Sequence, residues 1–184
     1  WELLERVVHT FPFKSTGKLV ELIQWIFAKD STQLSLVLKA LGRLCELEGH
    51  SEETLTFVKD WICLLADCYT DPQVTFKAEL EYFLISSIRL LGARKFFSLL
   101  PLNLPGGETS LNSRAWILPI AKEGIQATEL NYFFSDFLPS IELLSARAES
   151  PNQTVSFVYS LVVNHLWDCL PSFCKDPVDF DSVL

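Results

Sequence analysis

The chain has 184 residues and a formal net charge of −8, and 49% of its residues are hydrophobic. This length supports one domain-sized core. The acidic balance disfavours a nucleic-acid-binding class, whose members usually carry a basic patch, and it favours protein partners. The mean hydropathy of +0.24 is high for an isolated domain. Together with the absence of methionine, it predicts a segment excised from a larger protein that covers some of its surfaces.

Apolar residues recur at helical spacing through the first half of the chain. Capping residues, a proline at a first helical position and glycines mark where the helices begin and end. In chain order, the predicted helices run from Ser15 or Thr16 to about Lys29, from Asp30 or Ser31 to Gly49, from Ser51 onward, and from Asp71-Pro72 to about Leu91.

The second half continues the helical pattern, and strand signals are scarce throughout. The predicted elements are a short helix Arg94–Leu100, a long connector Pro101–Arg114, helices Trp116–Ile125 and Thr128–Arg147, a long helix from Thr154 to about Phe173, and a final turn at Asp176-Pro177. Four of the five tryptophans, Trp25, Trp61, Trp116 and Trp167, fall in apolar stripes and are predicted to pack in the core, with Trp116 as the exception that could face a partner.

Three prolines lie inside predicted apolar helix stripes, at Pro119, Pro139 and Pro171. A proline within a helix removes a hydrogen bond and clashes with the preceding turn, so it bends or breaks the helix. Three such segments in succession favour stacked, curved helical units over a catalytic centre.

The whole of residues 1–184 is therefore predicted to be a single all-α helical-repeat segment. Short turns make neighbouring helices roughly antiparallel, and helix pairs recur about every 40 residues, as in HEAT or armadillo repeats. An α-solenoid of such antiparallel pairs is favoured, because of the repeated prolines and the high apolarity. A closed helical bundle would produce the same string of elements and remains an alternative.

The chemistry-bearing residues do not form a pattern typical of an enzyme or of a cofactor site. Five cysteines and no secretory signal predict free thiols in a reducing compartment. Cys169 and Cys174 are five residues apart, as are Cys63 and Cys68, whereas structural zinc sites use shorter spacings. Gly106-Gly107 lacks the lysine of a phosphate-binding loop. We therefore expect no catalytic residues, no metal and no cofactor.

The longest uncharged run, Ser150 to Trp167, contains proline, asparagine, glutamine and histidine. A membrane-spanning helix rarely carries these residues together, so no membrane contact is expected. Partner-binding residues are predicted near the long connector. Arg94 and Lys95 form a small basic cluster before it, and Arg114 and Trp116 close it.

Several segments resemble a known family when they are taken in order. They are LLPL, GGET and RAWILPI between residues 99 and 120, then TELNYFFSDFLP, then LWDCLPSFC with Asp176-Pro177. Together they resemble the ribosomal-RNA-processing protein twelve family, which consists of large HEAT-repeat proteins of the nucleolus and the pre-ribosome. The resemblance is specific from about Phe96 to Asp179, and more general from Trp1 to Gly92.

The resemblance implies an α-solenoid slice of a longer, non-enzymatic scaffold in ribosome biogenesis. It implies a role in small ribosomal subunit maturation, with pre-rRNA processing, and in nuclear export. The expected partners are pre-ribosomal assembly factors, with pre-ribosomal RNA and nuclear transport factors as further contacts. The expected location is the nucleus and nucleolus, with shuttling to the cytoplasm. The alternative is a nuclear transport receptor or cargo-adaptor solenoid, whose acidic surface would suit basic cargo.

Overall fold

The computed structural model describes residues 31–47, 52–72, 74–104 and 113–180. Every regular element within these ranges is helical, which confirms the all-α prediction for this part of the chain. The chain forms two compact units, residues 1–90 and residues 91–184. The helix predicted at about residues 15–29 and the tryptophan Trp25 lie outside the described residues.

The first unit buries the apolar stripes that its sequence predicts. Its elements are α1 (Ser31–Leu47), α2 (Glu52–Ala66), a 3₁₀ turn (Asp67–Thr70) and α3 (Lys77–Leu91), whose last residue belongs to the second unit. Removing these stripes from water is the main contribution to its stability. The largest fully buried side chains are Leu34, Leu38, Ile62, Leu65, Leu80, Phe83, Leu84 and Ile88.

Helix α3 begins later than the sequence predicts. Asp71-Pro72 does not open the helix; Asp71 is extended and its carbonyl accepts a hydrogen bond from Val74 N at 3.3 Å. The helical bonding starts where Leu80 N donates to Phe76 O. The intervening turn carries Phe76 into the core, where its side chain is 4% exposed. Burial of this ring therefore outweighs the local preference of proline for a first helical position.

Polar contacts link α1 to α3 at the edge of this core. Ser35 Oγ donates to Glu79 Oε1 at 2.9 Å, and Lys39 Nζ lies 3.1 Å from the same oxygen. Gly42 allows the Tyr82 ring to approach α1 closely, because a Cβ at Gly42 would lie 2.5 Å from Tyr82 Cε1. A larger residue at this position would displace the ring.

The second unit is built on the long helix α8, which packs against α5 and α7. Its elements are α4 (Ala93–Leu99), α5 (Ile117–Gly124), α6 (Leu130–Tyr132), a π-helical turn (Phe133–Phe137), α7 (Leu138–Ala148) and α8 (Gln153–Phe173). The bounds of α4, α5 and α8 lie within about two residues of the sequence prediction, whereas the predicted helix Thr128–Arg147 is divided into α6, the π-helical turn and α7. Asn152 caps α8 by accepting hydrogen bonds from Thr154 N and Val155 N, which is the usual role of asparagine there.

The three prolines do not act alike. Pro119 lies in the first turn of α5, where its missing N–H would have no helical partner, so the prediction that it interrupts a helix was wrong. Pro139 directly follows the π-helical turn. Pro171 lies inside α8, in its last turn. Only the last two stand where they interrupt regular α-helical bonding.

Aromatic rings fill the core of the second unit. Phe173 is fully buried, and its ring centroid lies 5.5 Å from that of Phe133 and 5.3 Å from that of Phe137. Tyr132 and Phe97 extend the cluster by edge contacts with Phe137. Such ring pairs add to the free energy of apolar burial. The cluster thereby joins the π-helical turn to the C-terminal end of α8.

Candidate partner-binding surface

The predicted basic pair on α4 is only partly available to a partner. Arg94 Nε donates to Glu129 Oε2 at 2.6 Å, and its guanidinium carbon lies 4.9 Å from the centroid of the Tyr132 ring. The guanidinium of Arg94 therefore already pairs with a carboxylate and stacks on an aromatic ring within the second unit. Lys95 is exposed beside it. Of these two cations, Lys95 is the better placed to meet an outside group.

Arg114 and Trp116 stand at the start of α5, at the far end of the long connector. Arg114 N donates to Leu102 O at 2.8 Å, and Arg114 Nη1 lies 3.5 Å from Pro101 O. Arg114 thus helps to join the two ends of the connector, whose residues 105–112 lie outside the described ranges. Both side chains are half-buried. Trp116 is therefore neither fully in the core nor fully exposed to a partner.

The structure shows a groove that the sequence did not indicate. It has a volume of about 290 Å³ and lies between the segment Pro101–Leu104 and the π-helical turn with α7. Tyr132 and Phe137 form part of its lining, Leu143 is half-exposed at its edge, and Asp136 supplies a carboxylate. Burial, with a smaller effect of Asp136, raises the pKa of Tyr132 to about 12. The groove therefore presents apolar surface, a neutral phenol and one negative charge.

A second unpredicted feature is an apolar surface on the first half of α8. Val155, Phe157, Val158 and Leu161 are exposed on this helix. The sequence did contain a signal, because these residues fall in the uncharged run Ser150 to Trp167. Trp167 is also 43% exposed, against the predicted core position, whereas Trp61 is buried as predicted.

The cysteines are all free thiols, and two of them are deeply buried. Burial raises the pKa of Cys45 to about 11 and that of Cys169 to about 12, so both remain protonated near neutral pH. Cys169 Sγ donates to His165 O at 3.3 Å. Within the described ranges, no three His, Cys, Asp or Glu side chains are grouped closely enough to hold a metal ion.

Among the described residues, no helix combines the length and the apolarity that a membrane crossing requires.

Comparison with known proteins gives a consistent set of relatives. The chain is 28% identical over 148 residues to the RRP12-like protein of Gallus gallus, which is 78% of this chain and 11% of the relative. It is 30% identical over 120 residues to the RRP12-like protein of Homo sapiens, covering 62% of this chain and 9% of the relative. The ribosomal RNA-processing protein 12 of Saccharomyces cerevisiae is 27% identical over 103 residues, or 55% and 8% of the two chains. The chain thus spans about a tenth of the length of these relatives.

A family model described as "Ribosomal RNA-processing protein 12, HEAT repeats" matches residues 17–184. This range includes most of the first unit, all of the second unit and all of the described elements. The resemblance found in the second half of the sequence therefore extends through nearly the whole chain. The chain belongs to the ribosomal RNA-processing protein 12 HEAT-repeat family.

Proposed function

We propose that the chain is a scaffold segment of an α-solenoid that acts in ribosome biogenesis, without catalysis of its own. The observation that carries this proposal is the match of the HEAT-repeat family over residues 17–184. The names of the relatives, which refer to ribosomal RNA processing, support the same role. Within that role we propose small ribosomal subunit maturation and nuclear export, in the nucleus and nucleolus.

The mechanism that we propose is geometric. Stacked helix pairs in a solenoid present an extended curved surface, and the local curvature selects the partner that fits. The described units offer such a partner apolar surface in the groove beside the π-helical turn and a free cation at Lys95. Arg114 and Trp116 stay in the proposed contact region, because they stand at the other end of the connector that borders this groove.

Protein contacts are proposed to dominate over RNA contacts. The net charge of −8 repels a polyanion, and Arg94 is engaged with Glu129 and Tyr132. Pre-ribosomal assembly factors are therefore the proposed main partners, with pre-ribosomal RNA and nuclear transport factors as secondary ones. A nuclear cargo adaptor is the competing role, and the acidic charge is the observation that favours it.

The proposal is tested by capture of partners from nuclear extract with the tagged chain, with and without nuclease. Recovery of small-subunit assembly factors that survives nuclease treatment is the expected result. Recovery that is lost on nuclease treatment would show that RNA carries the association. Recovery of basic cargo and transport factors alone would favour the adaptor role and contradict the scaffold role.

Two charge-reversing variants make the experiment specific to the proposed surface. Lys95→Glu places a negative charge on α4 and is expected to reduce the recovery of assembly factors several-fold. Lys175→Glu changes the charge by the same amount at another exposed lysine of the second unit and should leave recovery unchanged. Equal losses in both variants would show that total charge, and not this surface, controls the association.

A further inference from the structure

The first half of α8 exposes more apolar side chains than is usual for a helix surface in contact with water. Phe157 is 69% exposed, Val158 49%, Leu161 44% and Val155 37%. At about 100° per residue, these four side chains spread over roughly half of the helix circumference. No Asp, Glu, Lys or Arg occurs between Gln153 and Trp167. A helix surface in permanent contact with water usually carries such residues.

Two of the exposed residues, Val155 and Val158, continue a stripe that is buried farther along the same helix. Val162, Leu166, Cys169 and Phe173 are buried at helical spacing, and Val158 and Val155 precede them at the same spacing. The buried part of the stripe lies where α5 meets α8, since Cys169 Sγ lies 3.7 Å from Leu118 O and Ser172 Oγ donates to Lys122 O at 2.6 Å. This stripe is therefore covered only in the second half of the helix. Phe157 and Leu161 lie roughly 100–140° around the helix from its centre and widen the exposed apolar surface of the first half.

We propose that this apolar surface of α8, formed by Val155, Phe157, Val158 and Leu161, is the stacking surface for an additional HEAT helix pair of the same polypeptide. Each unit of a repeat array buries its apolar surface against its neighbour, and terminal units carry a polar outer surface instead. Over its first four turns α8 carries no charged side chain, and the uncharged polar residues Gln153, Ser156, Ser160 and Asn164 share one narrow side of the helix. The occupant is thus an amphipathic helix that presents aliphatic side chains and needs no charge to pair with α8.

The length of the relatives supports an occupant from the same polypeptide. The 148 residues matched in the Gallus gallus protein are only 11% of it, so most of that protein is other sequence. The family to which this chain belongs is one of HEAT repeats. The proposal rests on that membership and deepens the scaffold role by naming where the array continues.

Site-specific photo-crosslinking tests this proposal in the polypeptide as its gene encodes it. Phe157→p-benzoylphenylalanine places a photoreactive ring of similar shape at the most exposed of the four positions. Illumination is expected to join it to an apolar residue of the same polypeptide outside residues 1–184. Peptide mass spectrometry identifies the attachment site, and a mixture of ¹⁵N-labelled and unlabelled protein separates joining within one copy from joining between two.

The other outcomes would overturn the proposal. They are attachment to a second copy, attachment to another protein, attachment within residues 1–184, and absence of any product. Glu142→p-benzoylphenylalanine, at an exposed charged position of α7, is the matched control and should give little product. Adding Val158→Lys and Leu161→Lys to the Phe157 variant should lower the yield several-fold. None of these results depends on ribosomal partners, so a failed partner capture and a failed cross-link are distinguishable.

Discussion

At the residue scale, Asp179 shows how one side chain far along the sequence completes a helix start. Its carboxylate accepts hydrogen bonds from Leu130 N at 2.6 Å and from Asn131 N at 2.9 Å. These amides open α6 and have no partner within the helix. Two backbone hydrogen bonds, Ala127 N to Lys175 O and Val178 N to Thr128 O, hold the same two segments together. The segment after α8 therefore stabilises the start of α6.

Removing this carboxylate should destabilise the second unit. Asp179→Ala leaves two amides without their acceptor, and we expect the Tm to fall by about 2–4 °C. Thermal unfolding followed by circular dichroism measures the change. Asp176→Asn, three residues earlier, is the control, because it removes a comparable charge. Asparagine is chosen over alanine because residue 176 has a positive φ of 51°, which asparagine tolerates better. An unchanged Tm in Asp179→Ala would show that water replaces the carboxylate without loss.

The same contact predicts a dependence of stability on pH. Desolvation acts to raise the pKa of Asp179, but hydrogen bonds from Asn131 and Leu130 outweigh it, and the pKa lies below its ordinary value of 3.8. The folded state therefore binds fewer protons there, so this stabilisation is present above about pH 4 and is lost as the pH falls through the lowered pKa. Acid unfolding of the wild type should consequently be steeper between about pH 4 and pH 2 than that of Asp179→Asn.

The aromatic cluster gives the largest stability effect expected from a single side chain. Phe173→Ala leaves a cavity among Phe133, Phe137 and Tyr132 and should lower the free energy of unfolding by about 3–5 kcal/mol. Phe157→Ala removes the same atoms from an exposed position and should change it by no more than about 0.5 kcal/mol. Urea denaturation measures both. Similar losses in the two variants would contradict the described burial of Phe173.

At the element scale, a π-helical turn allows the chain to use a proline in the middle of a helical segment. Pro139 has no N–H to donate to the preceding turn, and the Phe133–Phe137 turn stands directly before it. Ser140 Oγ donates to Asp136 O at 2.9 Å. This side-chain hydrogen bond gives a donor to a carbonyl of the irregular turn. The turn also brings Tyr132 and Phe137 to the groove, which links this irregularity to the proposed contact surface.

Pro171 lacks a comparable adjustment within α8. Its side chain is exposed, and the helix continues past it to Phe173. Pro171→Ala restores a hydrogen bond to the preceding turn and should raise the free energy of unfolding by about 1 kcal/mol. Pro151→Ala, in the loop before α8, is the control and should not stabilise. Equal or lower stability of Pro171→Ala would show that the proline restricts the unfolded chain enough to offset its cost.

At the scale of the whole molecule, net charge controls which class of polymer can bind. A charge of −8 opposes the counterion release that drives non-specific association with RNA. We expect the chain to bind a single-stranded RNA oligonucleotide with a Kd weaker than about 10⁻⁴ M at physiological salt. Fluorescence anisotropy measures this value, and lowering the salt should bring little gain. Micromolar binding that weakens steeply with salt would reveal a basic surface that the net charge conceals.

The sequence by itself determined the helical class and most helix bounds of this protein. Helical periodicity and breaks such as Gly92 act over a few residues, so they can be recognised from short stretches of sequence. Gly92 adopts a φ of 77° before α4, a backbone conformation that glycine adopts without strain. The sequence also carried the family resemblance in the second half of the chain. For α1, α2 and α8, the expected helices and the described ones nearly coincide.

Only the tertiary structure decided which apolar residues are covered and which polar groups find partners. Trp61 and Trp167 both lie in apolar stripes, yet one is buried and the other 43% exposed, because burial depends on the neighbour that packs there. Asp179 meets an amide 49 residues away in sequence, and Arg94 meets Glu129 across 35 residues. The fold creates these contacts and the groove by bringing distant segments together, and no local pattern specifies which segments will meet.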